Sequence, residues 1–90
     1  VMNNKSWGAE KAYQKDFYGK RYLGADISSP RFDKVAELYG AKGFKVTKIS
    51  EINRTLKDAL KIRKPVVIDV DVDPKALYSF RRDSFKHRIK

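Results

Sequence analysis

The stretch Pro65-Val66-Val67-Ile68-Asp69-Val70-Asp71-Val72-Asp73-Pro74 constrains the fold more than any other part of this sequence. β-Branched residues are stiff at χ1 and suit a pleated surface, and a proline at either end cannot extend a hydrogen-bonded ladder. Residues 66–72 therefore read as a strand. It begins as a continuous apolar run, as a parallel strand covered on both faces would, and turns alternating towards its end. Upstream, Gly43 opens a second strand, Phe44-Lys45-Val46-Thr47, and Ser50 is placed to cap a helix whose Ile52, Leu56, Ala59 and Leu60 share one face. The order strand, helix, strand predicts a parallel pair with a right-handed crossover.

Two more helices precede these elements. Residues 9–18 form a short helix after Gly8, followed by a connector over 19–29. Ser29 is suited to accept from orphan N–H groups as an N-cap, and Pro30 has its φ already set for a first helical position. A helix should thus start at Pro30 and end near Gly40, with Phe32, Val35, Ala36 and Tyr39 along one stripe. Val1-Met2 reads as the last two residues of a buried strand running straight into a polar loop. A sheet of two or three parallel strands leaves long edges unpaired. We therefore expect the C-terminal part of a larger α/β unit, a three-layer parallel sheet with helices on both faces; a small independent domain with an edge hidden by dimerisation is the alternative.

Composition removes several chemistries. With 90 residues the chain is too short for two domains, and 41% hydrophobic residues are too many for a disordered tail. No apolar run approaches the ~20 residues that span a bilayer, so no membrane partner is expected. There is no Cys and a single histidine, His87, which excludes disulfide scaffolds, thiolate metal sites and Ser/His/Asp triads. The absence of Cys and of a secretion signal at Val1-Met2-Asn3-Asn4 suits a cytoplasmic setting. The formal net charge is +10, and residues 75–90 carry six basic residues against one acid, half of the excess. Residues 1–74 thus form the folded part, and 75–90 a basic C-terminal tail.

Chemistry concentrates in Asn3-Asn4-Lys5-Ser6-Trp7-Gly8, between a strand end and a helix start. Open α/β sheets bind ligands at such places, and helix N–H groups meet phosphate there. An Asn carbonyl and a nearby backbone carbonyl are hard oxygen donors suited to Mg²⁺, in a shell completed by a carboxylate, water and phosphate. The bland reading of Asn-Asn is a cap and turn.

The run NNKSWGAEKAYQKDFYGKRY, followed by PRFDKVAELYGAKGFKV and KPVVIDVDVDP, resembles the C-terminal end of thiamine diphosphate-dependent enzymes of the acetolactate synthase type. The anchors are the Asn pair, Trp7-Gly8, Phe17-Tyr18 with Arg21-Tyr22, Ala36-Glu37, Gly40 and Gly43, in fixed order over residues 1–74. The resemblance implies thiamine diphosphate and Mg²⁺ as cofactors, with Asn4 as a side-chain Mg²⁺ ligand and Ser6 as a backbone-carbonyl ligand. Asn3 is then a support residue. Trp7, Gly8 and the next helical turn would line the diphosphate and the substrate entrance, with Ala9, Glu10 and Tyr13 facing the pocket. Against this stand an aromatic staple for Trp7 and a solvated first turn for Glu10 and Lys11. No catalytic residue is assigned. The family's Gly-Asp-Gly motif and activating Glu are not in this sequence, so the 90 residues alone are expected to be inactive. Their partners would be the remainder of the enzyme and a second subunit, in a homodimer or homotetramer.

The tail Tyr78-Ser79-Phe80-Arg81-Arg82-Asp83 resembles the Phe-Arg-Arg-Asp segment that ends sulfoacetaldehyde acetyltransferases, whose Asn pair is likewise followed by Trp-Gly-Ala-Glu-Lys. This implies cleavage of sulfoacetaldehyde, release of sulfite and acetyl transfer to phosphate, with Arg81 and Arg82 helping to hold an anion. Acetolactate synthase or a related carboligase is the alternative in the same class. From another class, a basic nucleic-acid-binding module answers to the charge and the 11 aromatics. Most of these aromatics sit on expected apolar stripes or near helix ends, which disfavours it.

Overall fold

A computed structural model describes residues 1–77. In chain order the elements are β1 (Met2–Asn3), α1 (Gly8–Phe17), α2 (Phe32–Leu38), β2 (Lys42–Val46), α3 (Ile52–Leu60, preceded by a 3₁₀ turn over Ile49–Glu51) and β3 (Val66–Asp71). They fall into two compact bodies: Val1–Asn4 with Ser29–Val72, and Lys5–Ser28 with residues 73–77.

The first body is α/β. Its sheet has the order β1-β3-β2, and both pairings are parallel. β3 is central, as its apolar run requires. Lys42 lies opposite Val66 and Val46 opposite Val70, while Met2 pairs with Val70 and Asn3 with Asp71. Side chains alternate along a strand, so Asn3, Gly43, Lys45, Val67, Asp69 and Asp71 share one face of the sheet. α2 packs on β2 and β3, and α3 packs against β2. Gly43 shows which face α2 covers: a Cβ there would run into the backbone of Asp33. Gly43 therefore lies inside β2 and permits close approach of the helix, rather than opening the strand as its type suggested.

Other boundaries are corrected too. α2 starts at Phe32, two residues after Pro30, with Arg31 at the N-cap and no side-chain cap. Ser29 is not used because the capping acceptor comes from β3: the Phe32 N–H donates to Asp69 Oδ2 at 3.0 Å. At its far end the Gly40 N–H donates to the Glu37 carbonyl and the Ala41 N–H to that of Ala36, a Schellman motif closed by Gly40 at φ +81°. Ser50 falls within the 3₁₀ turn, Glu51 is the N-cap of α3, and no side-chain cap bond forms. Val1 and Met2 are not buried, Met2 being 72% exposed, because β1 is an outer strand with β3 as its neighbour.

In the second body α1 begins at Gly8, and its connector folds back in sequence. Gln14 binds both the carbonyl (3.0 Å) and the N–H (3.2 Å) of Leu23, as a neighbouring strand would. Ala12 and Ala25 are buried here. No helix among the described residues is long and apolar enough to cross a membrane.

Candidate functional site at the end of β1 and the start of α1

The candidate residues divide between the two bodies, and each group has its own geometry. In the first body the carboxyl end of β1 is held by main-chain bonds to β3: the Val70 N–H donates to the Val1 carbonyl at 2.8 Å and the Val72 N–H to the Asn3 carbonyl at 3.1 Å. Asn3 is buried at 6% exposure, on the same face of the sheet as Asp69 and Asp71. Asn4, the expected metal ligand, follows at once and is half-buried.

Asp69 was not anticipated as a site residue. It is fully buried: Oδ2 accepts from the Phe32 N–H at 3.0 Å and lies 3.2 Å from Lys45 Nζ, while Oδ1 has no hydrogen-bond partner among the described residues. Burial pushes its carboxyl up, but the Phe32 N–H, the Asn3 side chain and the Lys45 ammonium outweigh it and hold Asp69 below the usual carboxylate range. Lys45 also reaches Asp71 at 2.6 Å; that bond, with Asp69, raises the lysine against the effect of burial. The only sequence signal for this row was the Asp-Val-Asp alternation, which puts two carboxylates on one face of a central strand.

In the second body Lys5 turns the chain at φ +54°, an uncommon conformation for a side chain other than Asn or Gly. Ser6 then pairs antiparallel with Asp26; the Trp7 N–H donates to the Ala25 carbonyl at 2.6 Å and the Ile27 N–H to that of Lys5 at 3.1 Å. The Ser6 hydroxyl donates to Asp26 Oδ1 at 3.2 Å, so the role given to Ser6 concerns its carbonyl, not its hydroxyl. Lys11 binds the same Asp26 oxygen at 2.6 Å and lies 5.0 Å from the centroid of the Tyr22 ring. Its solvated reading is therefore corrected: the ammonium is engaged, and it holds the Asp26 carboxyl below its ordinary value.

Trp7 is the N-cap of α1 and supplies no side-chain cap. Its ring is 61% exposed, which does not suit a staple packed on the helix start. Ala9 and Glu10 are exposed, and Tyr13 is half-buried against Phe17, ring centroids 6.2 Å apart. Arg81 and Arg82 lie outside the described residues.

These residues suit the expected group in donor chemistry. A helix start without a side-chain cap offers orphan N–H groups to a diphosphate, and Gly8 brings no side chain between them and a ligand. Among the described residues no three His, Cys, Asp or Glu side chains gather to hold a metal ion. The donors that Asn4 and Ser6 would offer Mg²⁺ are neutral oxygens, which need further ligands beside them.

Comparison with known proteins places this arrangement. The family described as thiamine pyrophosphate enzyme, C-terminal TPP binding domain, matches residues 1–70. The chain is 33% identical over 94 residues to a sulfoacetaldehyde acetyltransferase of Castellaniella defragrans, covering 100% of this chain and 16% of that protein. It is 36% identical over 74 residues to the acetolactate synthase large subunit of Porphyra purpurea, with 80% of this chain and 12% of that protein covered. The mitochondrial acetolactate synthase catalytic subunit of Saccharomyces cerevisiae is 36% identical over 75 residues, with 83% and 11% covered. The chain therefore spans no more than about a sixth of the length of these curated relatives. Matched by that family over residues 1–70, the chain belongs to the thiamine pyrophosphate enzymes, within their C-terminal TPP binding domain.

Proposed function

We propose that this chain forms one wall of the cofactor site in an enzyme that cleaves sulfoacetaldehyde, releases sulfite and transfers the acetyl group to phosphate. The observation that carries this reading is coverage: the sulfoacetaldehyde acetyltransferases match 100% of the chain, the acetolactate synthases 80–88%. A carboligase of the acetolactate synthase type is the second reading, favoured by the slightly higher identity of 36% over the shorter match.

Thiamine diphosphate, when bound, would supply the carbanion chemistry for cleaving the substrate and transferring its acyl group. The chain's own residues bind and orient. Asn4 would give a carboxamide oxygen and Ser6 a main-chain oxygen to Mg²⁺. The α1 N-terminus, from Gly8, would donate to diphosphate oxygens, and the exposed Trp7 ring would border the entrance. Ala9, Glu10 and Tyr13 are the substrate-side candidates, joined by Arg81 and Arg82 for the sulfonate or phosphate. The partners are the remainder of the enzyme and a second subunit, in the cytoplasm.

The complete protein carrying this sequence decides between the readings. With sulfoacetaldehyde and phosphate it should release sulfite and form acetyl phosphate in equal amounts. Acetolactate from pyruvate without sulfite release would replace this reading with the second. Replacing Arg81 and Arg82 by Ala should raise KM for phosphate or substrate; unchanged values would remove them from the site.

A further inference from the structure

We propose that Asp26 is a positioning residue for the metal end of the site, bracing the Ser6 main chain through the Ser6 hydroxyl while Lys11 anchors the brace to α1. This rests on the reading above that Ser6 gives its carbonyl to Mg²⁺, and it assigns a role to a carboxylate of the connector. Three observations carry it. The main-chain bonds flank the Ser6–Asp26 pair instead of joining it: the Trp7 N–H donates to the Ala25 carbonyl at 2.6 Å and the Ile27 N–H to the Lys5 carbonyl at 3.1 Å. In such a pair the two side chains lie close on one face, and each residue's own N–H and carbonyl turn away from the partner segment, so the bridge does not consume the oxygen assigned to Mg²⁺. Asp26 Oδ1 then accepts from the Ser6 hydroxyl at 3.2 Å and from Lys11 Nζ at 2.6 Å. Lys11 is itself tied down, its N–H donating to the Trp7 carbonyl at 3.0 Å and its ammonium lying 5.0 Å from the centroid of the Tyr22 ring.

These bonds close a ring from Ser6 through Asp26 and Lys11 to Trp7, the residue after Ser6. The ring matters because the bridge is isolated. Two main-chain bonds fix the separation of the segments but leave the Ser6 peptide able to swing about the line that joins them. A side-chain bond off that line resists the swing. Lys5 adds a reason for the brace, since its φ of +54° is a conformation that persists only where neighbouring structure holds it. Rotation at Ser6 moves its carbonyl directly, and partners that orient a metal ligand change metal affinity when removed, typically by roughly 10–100-fold. Asp26 acts through the Ser6 side chain and its own side chain is 71% exposed, which puts the expected effect at the low end of that range.

The test uses the complete protein, with the dissociation constant of thiamine diphosphate measured by calorimetry across a series of Mg²⁺ concentrations and apo-protein melting recorded in parallel. At limiting Mg²⁺, Asp26→Ala and Lys11→Met should each weaken binding by about tenfold. The double variant should be no weaker than the worse single one, because both break one connection. Lys11→Arg, which keeps the charge, should bind more tightly than Lys11→Met. Ser6→Ala removes the hydroxyl and leaves the carbonyl, and it should weaken binding as well. Saturating Mg²⁺ should restore wild-type affinity in all of these, since every ligand remains. An exposed ion pair contributes little to stability, so their melting temperatures should hardly move. Val46→Ala, in a buried position of β2, should do the reverse and lower the melting temperature while affinity holds. Affinity unchanged in Asp26→Ala, or losses that add in the double variant, overturns the proposal, and so does binding that follows melting temperature across the whole set. Losses that persist at saturating Mg²⁺ overturn it too, because they put Asp26 or Lys11 on the cofactor itself. If Asp26→Ala does not fold, unchanged affinity in Ser6→Ala overturns the proposal alone. Asn4→Ala separates the two levels: tight Mg²⁺-dependent binding in that variant refutes the metal reading and the proposal with it, whereas loss there with wild-type affinity in the Asp26, Lys11 and Ser6 variants refutes only the positioning role.

Discussion

Lys45 and Lys11 each hold an aspartate, but the two pairs should differ sharply in what they contribute. Asp69 is fully buried, while the Asp26 side chain is 71% exposed. Replacing Lys45 by Met leaves a buried carboxylate without its counter-charge, a change that costs roughly 3 kcal/mol or more. Lys11→Met leaves Asp26 in contact with water, which takes over its solvation, so the loss should be far smaller. Urea unfolding of the two variants gives the comparison, and equal losses would mean that the row on the sheet face is better hydrated than its burial implies. Asp33 adds a pH signature. The Arg31 guanidinium, 2.7 Å away, overcomes burial and holds the Asp33 carboxyl below its ordinary value of about 3.9. A carboxyl lowered by folding contributes stability above its unfolded value and loses it as pH falls through the folded one. Arg31→Gln should return Asp33 towards the ordinary range and move the acid-unfolding midpoint to higher pH, followed by far-UV circular dichroism. An unmoved midpoint would show that the pair does not bear on acid stability.

At the scale of elements, the tightest restraint is the contact of α2 with β2 at Gly43. Ala there would press its Cβ into the Asp33 backbone, and backbone cannot rotate away as a side-chain tip can. Gly43→Ala should destabilise the fold by about 1–3 kcal/mol, read from the urea midpoint at unchanged slope. The same position shows where reading the sequence succeeds and where it stops. The β3 strand and the parallel pairing of β2 with β3 follow from apolar runs, proline punctuation and the order of elements, all of which are local signals. The start of α2 does not. Ser29-Pro30 is a sound local cap, but the Phe32 N–H finds its acceptor 37 residues away on Asp69, and such a partner leaves no trace near the helix. Asn4, Ser6 and Trp7 could be singled out because neighbouring amides before an uncapped helix are a contiguous motif. Asp69, Lys45 and Asp26 could not, since their significance depends on strand register and on the fold of the connector.

For the whole molecule, the question is how much of a cofactor site 90 residues can supply. Among the described residues the donors proposed for Mg²⁺ and the diphosphate are neutral: a carboxamide, a main-chain carbonyl and the N–H groups of one helix turn. Mg²⁺ dehydrates reluctantly and is normally held through carboxylates together with phosphate oxygens. Neutral donors alone compete poorly with its water shell, and among the described residues no cluster of acidic side chains makes up the difference. The relatives that match this chain are six or more times longer, which leaves ample protein for the missing ligands. Titrating the 90-residue chain with thiamine diphosphate and Mg²⁺ should therefore give no stoichiometric binding heat, and neither sulfite nor acetolactate should form. The net charge of +10 brings a complication that the experiment can resolve, because a basic chain attracts any polyphosphate. Heat of that origin should persist without Mg²⁺ and fade as salt shortens the screening length from about 10 Å at 0.1 M to about 3 Å at 1 M. A formed site should instead require Mg²⁺ and resist salt. Stoichiometric, Mg²⁺-dependent, salt-resistant binding by this chain alone would mean that neutral ligands suffice, and that the remaining sequence is needed for catalysis rather than for holding the cofactor.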